Sequence, residues 1–307
     1  MTESKNMTRR RLLQVLGIGS GAAATLTAAS SKLGNEDLRM TMLDALGDMF
    51  QNHFKRMDKN EVQETLARME RKYAAQYQKD IKVSANGALP NTRYGYALNL
   101  SKCKGYRACV QACVAENNQS RDSEIQYIRV VELPHGTYNL EHGNHYYEGE
   151  VPKPDHTYFP IQCQQCDNPP CVQACPVEAT WQEPDGIVVI DYDWCIGCRY
   201  CQAACPYWAR KFNWNEPQIP VEEINPETHY LSNRPRPKGV MEKCTFCLHR
   251  VRQQRMPACQ EACPTGARIF GNLLDPQSEI RQVLAHKNVF RLKEDLNTEP
   301  KFWYFTD

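Results

Sequence analysis

The sequence predicts an α+β fold in which short helices and strands surround regularly spaced cysteines. Apolar residues recur at three- and four-residue steps between residues 37 and 79, which is the period of amphipathic helices. Two short runs of aromatic and apolar residues, 94–100 and 302–305, predict strands. The 15 cysteines between them form four spaced runs, and this spacing is the strongest indication of function.

The two central cysteine runs have the ligand spacing of a two-cluster iron–sulfur ferredoxin. In such proteins three thiolates from one tight loop hold one cluster, while a fourth, followed by proline, reaches the neighbouring cluster. Each run is therefore predicted to complete the site of the other. The runs are Cys163, Cys166, Cys171 and Cys175 before Pro176, and Cys195, Cys198, Cys201 and Cys205 before Pro206.

Two outer runs extend the pattern. The first has Tyr106 at the position where the spacing requires its second cysteine. Together the four runs use every cysteine in the chain, whereas structural free cysteines would be expected outside the pattern as well. The outer runs are Cys103, Cys109 and Cys113, and then Cys244, Cys247, Cys259 and Cys263 before Pro264.

Applying the same exchange to all four runs predicts four ligand sets. Site 1 lacks one thiolate, and a cubane without that ligand most simply loses one iron and becomes [3Fe–4S]. An empty site and a [4Fe–4S] cluster with a non-cysteine ligand remain alternatives there. We expect three [4Fe–4S] clusters and one [3Fe–4S] cluster, in site 1 (Cys103, Cys109, Cys263), site 2 (Cys244, Cys247, Cys259, Cys113), site 3 (Cys163, Cys166, Cys171, Cys205) and site 4 (Cys195, Cys198, Cys201, Cys175).

Disulfides and zinc are the competing interpretations of so many cysteines. An odd number cannot pair fully within one chain, and disulfide frameworks occur mostly in much smaller secreted domains. Zinc ribbons use pairs of C-x2-C and need neither a third close cysteine nor a following proline. The net charge of only +1 gives no indication of nucleic acid as a partner.

The N-terminus has the pattern of an export signal. Residues 1–31 combine a basic start with a weakly apolar run, and Arg9 and Arg10 lie in a stretch that resembles the bacterial twin-arginine signal. An uncleaved membrane anchor is the alternative, which glycines in the short apolar run disfavour. Residues 32–91 are predicted to be a helical extension and linker. Its second helix is expected to begin at Asn60, with Gln63 three residues on.

Basic residues near the cysteines have two interpretations. Lys102, Arg199, Arg210 and Lys243 could hydrogen-bond close to cluster sulfur, or they could be solvated surface charges. We expect the second, because charged side chains are mostly exposed.

Several stretches around the cysteines resemble the four-cluster electron-transfer subunits of bacterial respiratory complexes, such as the molybdoenzyme, polysulfide reductase and alternative complex III types. The resemblance covers about residues 92–298, and Tyr106 departs from its all-cysteine members. The stretches are Asn168-Pro169-Pro170-Cys171, the run from Cys195 to Cys201, Met241-Glu242-Lys243-Cys244, Ala115-Glu116-Asn117 and Pro264-Thr265-Gly266-Ala267-Arg268.

This resemblance implies two pseudo-symmetric two-cluster ferredoxin-like domains with long loop insertions. We expect the helical extension to precede them and an aromatic tail at 299–307 to follow, both outside the resemblance. The inner pair of sites would lie within 157–215, and the outer pair within 92–135 and 236–275. It also implies a row of clusters between an integral membrane subunit that reacts with quinone and a molybdopterin enzyme or multihaem cytochrome c. The expected location is the periplasmic side of the cytoplasmic membrane, with attachment through partner subunits.

Two other functions fit parts of the pattern. A free soluble polyferredoxin would have the same sites but no partner subunits. An enzyme could use the open corner of a [3Fe–4S] cluster at site 1, provided that acid or base groups lie beside Tyr106. We expect no substrate chemistry in this chain, because thiolate ligands on every iron leave no open coordination position.

Overall fold

The computed structural model describes residues 57–121, 125–137 and 139–307. The predicted export signal with Arg9 and Arg10, and the first helix of the predicted extension, lie outside the described residues. Within them, seven α-helices are present: α1 (Lys59–Tyr77), α2 (Ala108–Glu116), α3 (Pro170–Gln173), α4 (Tyr200–Ala203), α5 (Leu248–Val251), α6 (Ala258–Glu261) and α7 (Glu279–His286).

The strands of the described residues are short and form five small sheets. The mixture of helices and strands agrees with the predicted α+β class. The strands are β1 (Lys82–Ser84), β2 (Tyr94–Asn99), β3 (Arg129–Pro134), β4 (His156–Ile161), β5 (Thr180–Gln182), β6 (Val188–Ile190), β7 (Lys211–Phe212), β8 (Glu227–His229), β9 (Met241–Glu242), β10 (Arg268–Asn272), β11 (Val289–Phe290) and β12 (Phe302–Phe305).

The largest sheet has four strands in the order β10-β2-β12-β11. Strand β2 pairs antiparallel with β10 and parallel with β12, so the predicted strands at both ends of the cysteine-rich region are adjacent. The ring of Tyr96 in β2 stacks on Phe302 in β12 at 5.0 Å between centroids. The aromatic tail therefore closes the protein's own sheet.

The main hydrophobic core surrounds the cysteines. It joins aromatic residues of the large sheet to buried cysteines from the first, second and fourth runs, including Cys113, Cys163 and Cys244. The sulfur atoms of these runs are thus part of the protein interior, where their charge state depends on nearby donors and cations.

Helix α1 lies in the region where the second helix of the extension is expected, but its start differs from the prediction. Asp58 is the N-cap, and its carboxylate accepts hydrogen bonds from the backbone N–H groups of Asn60 and Glu61. An aspartate in extended conformation two residues before Asn60 satisfies these donors first. The apolar face of α1 packs on Ile219 and Ile224, so this helix rests on the body of the protein.

Candidate metal centres

The first and third cysteine runs have the same local backbone. Gly105 and Gly197 stand two residues after the first cysteine of their runs, with φ of +76° and +74°. A Cβ atom at Gly197 would overlap the carbonyl oxygen of Gly239, so this tight turn requires glycine. The left-handed residues Arg107 and Arg199 then cap helices α2 and α4, which carry the equivalent cysteines Cys109 and Cys201.

The second and fourth runs share a different geometry. Gln165 and Phe246 precede the second cysteines with positive φ, and Pro169 and Pro257 cap helices α3 and α6. Proline suits the start of a helix, because its φ is already close to the helical value and its missing N–H has no partner there. These helices present the third cysteines of the two runs, Cys171 and Cys259.

The thiols of site 2 come from the first and last runs and are brought together. Burial raises the pKa of Cys113 well above its usual value, and the nearby thiols of Cys244, Cys247 and Cys259 raise it further. Site 1 is similar, because burial is the main cause that raises the pKa of Cys103 to about 11, with smaller contributions from Cys109 and Cys263.

The thiols of the two inner sites are also brought together. Burial raises the pKa of Cys166 to about 12, and the other thiols of site 3 add to this effect. Burial likewise raises the pKa of Cys201 to about 11, and Cys195 and Cys175 of site 4 contribute in the same direction. Cys198 interacts with the same two thiols.

Thiols of neighbouring sites also interact electrostatically. Cys109 of site 1 acts on Cys259 of site 2, Cys163 of site 3 acts on Cys244 of site 2, and Cys171 of site 3 acts on Cys201 of site 4. These pairs connect the sites in the order 1–2–3–4.

Hydrogen-bond donors point at several of these sulfur atoms. Gln119 Nε2 lies 3.2 Å from Cys113 Sγ, and Asn117 Nδ2 lies 3.5 Å from Cys113 Sγ and 3.7 Å from Cys247 Sγ. Buried thiols with a raised pKa would be neutral by themselves, whereas iron ligation requires thiolates. Amide donors aimed at sulfur stabilise that negative charge, so the donor set fits iron–sulfur clusters.

The described thiols do not converge on single points. Among the described residues, no group of three or more His, Cys, Asp or Glu side chains is arranged to hold one metal ion. A tetrahedral zinc site needs its ligands about 2.0–2.3 Å from one atom. The thiolates around a cubane bind different irons and surround a larger volume.

Tyr106 lies at the outer edge of site 1. Its side chain is 48% exposed and lines, together with Cys103, Cys109 and Cys263, a cavity beneath the first run. It also borders a second, more open cavity of about 490 Å³. Burial favours the neutral thiol of Cys263, but hydrogen bonds from Thr265 and Ala267 and the charge of Arg268 together outweigh it, so the pKa of Cys263 is lowered.

The expectation that nearby basic residues are solvated is wrong for two of the four. Arg210 and Lys243 are buried, and Lys243 Nζ donates to the carbonyl of Cys244 rather than to sulfur. Lys102 and Arg199 are exposed as expected. Arg268 is a further buried arginine beside a cysteine. It stands five residues after Cys263, as Arg210 does after Cys205, and this shared spacing could have indicated both arginines from the sequence.

Comparisons with known proteins agree with this geometry. The family described as 4Fe-4S dicluster domain matches residues 154–222 and 227–273. A selenate reductase subunit of Mesobacillus selenatarsenatis is 34% identical, with 99% of both chains covered. The iron–sulfur cluster-binding subunit of menaquinone reductase of Nitratidesulfovibrio vulgaris is 38% identical, over 70% of this chain and 89% of that subunit. This chain belongs to the iron–sulfur subunits of respiratory oxidoreductases.

Membership of these iron–sulfur subunits gives the general function of the chain. A tetrathionate reductase subunit of Salmonella typhimurium, 35% identical over 70% of this chain and 73% of its own length, is another similar protein. The chain transfers electrons through iron–sulfur clusters and holds more than one of them. None of the helices in the described ranges combines the length and apolar character needed to cross a membrane.

The turn at Gly197 gives a test of site 4. Replacing Gly197 with alanine should remove about four irons per chain, because the added Cβ displaces the loop that carries Cys195 and Cys198. Gly136→Ala is the matched control, since Gly136 has a similar φ of +79° with no atom near its Cβ position. Iron and acid-labile sulfide analysis decides the outcome, and full iron in both variants would contradict the proposed constraint.

Proposed function

We propose that this chain is a non-catalytic subunit that carries electrons between a quinone-reactive membrane subunit and a periplasmic redox partner. The observation that carries the proposal is the series of electrostatic interactions between thiols from site 1 to site 4. The clusters, when bound, accept and donate single electrons. The protein holds them close to one another and shields them from water. The partner would be a molybdopterin enzyme or a multihaem cytochrome c.

The proposed ligands are the four sets defined by the cysteine spacing. Support comes from the electrostatic contacts within each set, which link Cys113 to the last run and Cys175 to the third run. Support for two related ferredoxin-like halves comes from the backbone shared by alternate runs. In this arrangement sites 1 and 4 form the two ends of a row.

The two ends of the row differ in their surroundings. At site 4, Ile196 and Tyr200 are exposed beside the ligands, and Arg199 lies over the exposed ring of Trp214 at 4.7 Å. At site 1, Tyr106 is exposed above the cavity of about 490 Å³. Exposed aromatic residues at both ends support docking of two different partners.

At site 1 we propose a [3Fe–4S] cluster held by Cys103, Cys109 and Cys263. Tyr106 occupies the sequence position where the missing cysteine would stand. Its half-exposed position supports a role in covering the cluster rather than binding it. The enzymatic alternative would use the adjoining cavity. Of the described residues that line this cavity, the one carboxylate is Glu223, which pairs with Arg121 at 3.0 Å, and this pairing favours electron transfer over acid–base chemistry there.

Purification from native membranes tests the proposed role. The tagged chain is expected to co-purify with an integral membrane subunit and a second redox subunit, because a row with two exposed ends needs a donor and an acceptor. The isolated chain should show no turnover with reductase substrates while its clusters remain reducible. Recovery of the chain alone from the soluble fraction would support a free carrier, and turnover by the isolated chain would support an enzyme.

The cluster type at site 1 has a separate test. Tyr106→Cys should convert the cluster to [4Fe–4S], raise the iron content from about 15 to about 16 per chain and abolish the oxidised-state EPR signal. Tyr106→Phe is the control and should leave the signal unchanged, because no phenol ligand is lost. A signal that persists in the cysteine variant would contradict the ligand set, and a signal altered by phenylalanine would indicate a tyrosine ligand.

Export before docking is the last part of the proposal, and it rests on Arg9 and Arg10 in the twin-arginine pattern. Replacing both with lysine should retain the chain in the cytoplasm with its clusters intact, because that pathway reads the paired arginines rather than net charge. Arg11→Lys is the matched control and should be exported. Cell fractionation with iron analysis measures both results, and normal export of the double variant would refute this route.

A further inference from the structure

Two of the cysteine runs end in the same six-residue pattern, Cys-Pro-x-x-Ala-Arg. It occurs from Cys205 to Arg210 and again from Cys263 to Arg268. Both arginine side chains are buried, with 2% and 3% of their surface exposed. An ionised guanidinium in the protein interior costs several kcal/mol unless negative charge compensates it. The environment of these two residues must therefore supply that charge.

Sulfur atoms of the proposed ligands are the hydrogen-bond partners of both arginines. Arg210 Nη2 donates to Cys171 Sγ at 3.0 Å and to Thr180 Oγ1 at 2.9 Å. Arg268 Nη2 lies 3.4 Å from Cys109 Sγ, while its Nη1 donates to Gln162 Oε1 at 2.7 Å. These contacts place each positive charge directly against a proposed cluster ligand.

Each arginine faces two sites rather than one. Around Arg210 lie Cys171 and Cys163 of site 3 and also Cys201 of site 4. Around Arg268 lie Cys109 of site 1 and Cys259 of site 2. The two positive charges therefore lie within the inner pair and the outer pair of sites, respectively.

The equivalent positions of the other two runs carry neutral residues. Thr180 stands five residues after Cys175 and accepts a hydrogen bond from Arg210, and Asn118 stands five residues after Cys113. Each pair of sites thus contains one arginine at this position. A second guanidinium group within the same pair of sites would be repelled by the first.

Arg210 also has a donor without a partner. Among the described residues, Nη1 of Arg210 is buried and forms no hydrogen bond. A buried donor left unsatisfied costs about 1–3 kcal/mol. The inorganic sulfide of a cluster held at site 3 or at site 4 could accept a hydrogen bond from this donor.

We propose that Arg210 and Arg268 set the reduction potentials of the cluster pairs at sites 3 and 4 and at sites 1 and 2, respectively. This inference rests on the proposed ligand sets. Each one-electron reduction adds one negative charge to a cluster, and no proton is transferred to the arginine, which remains protonated. A fixed positive charge and hydrogen bonds to sulfur stabilise the reduced state, so they raise the potential.

The test is a redox titration of the cluster-loaded full chain, purified without partner subunits, poised with dithionite and ferricyanide and followed by EPR. Arg268→Gln should lower the potential at which the oxidised-state signal of site 1 disappears, and should leave the inner clusters nearly unchanged. Arg210→Gln should lower the potentials of the inner clusters and leave the site 1 signal unchanged. This reciprocal pattern is expected only if each arginine acts on its own pair.

Arg199→Gln is the matched control, because Arg199 is also beside a ligand, Cys198, but is exposed. Water and salt screen its charge, so no shift is expected. Arg210→Lys and Arg268→Lys keep the charge but lose the forked donor, and should lower the potentials by less than the glutamine variants do.

The iron content shows whether the proposed ligand sets or the proposed role of the arginines is wrong. Unmodified protein with far fewer than about 15 irons per chain would refute the proposed ligand sets. Full iron with unmoved potentials in the glutamine variants, or shifts equal to those of Arg199→Gln, would refute the role of the arginines. If a glutamine variant loses iron, its potential cannot be compared, and the corresponding lysine variant is measured instead. Full iron with an unchanged potential in that lysine variant would overturn the inference.

Discussion

Compensation of buried sulfur charge is the constraint on which this structure depends. The protein interior contains thiols whose burial raises their pKa, and iron ligation requires each ligand as a thiolate. The surrounding side chains meet this demand with amide groups such as Gln119 and with the guanidinium groups of Arg210 and Arg268. The charged residues of the core therefore belong to the same arrangement as the cysteines.

The presence of iron–sulfur clusters could be predicted because the cysteines lie on short loops. Within a run, two to four residues separate successive cysteines, except between Cys103 and Cys109 and before Cys259, so the local turn and the capped helix fix their relative positions. The sequence also predicted strand β2 and the aromatic strand β12. It could not decide whether β12 closes the sheet of its own chain, since pairing with β2 depends on residues about 200 positions apart.

The environment of the charged side chains could not be predicted in the same way. Arg199 and Arg210 both lie close to cysteines in sequence, yet the first is exposed and the second buried. Burial of Arg210 depends on Thr180 and Cys171, which approach from a different run. The predicted start of α1 differs from the observed one because Asp58 caps the helix two residues earlier, so that Asn60 already lies in its first turn.

The nesting of the runs has a consequence for the order in which the protein is assembled. All proposed ligands of sites 3 and 4 lie between Cys163 and Cys205, whereas the proposed site 2 joins Cys113 to a run that begins at Cys244. Closing the shorter segment costs less chain entropy. During synthesis the inner sites are complete while the last run is still untranslated. Cluster insertion can therefore begin at the centre of the protein and end at its outer pair, with the C-terminal strand added last.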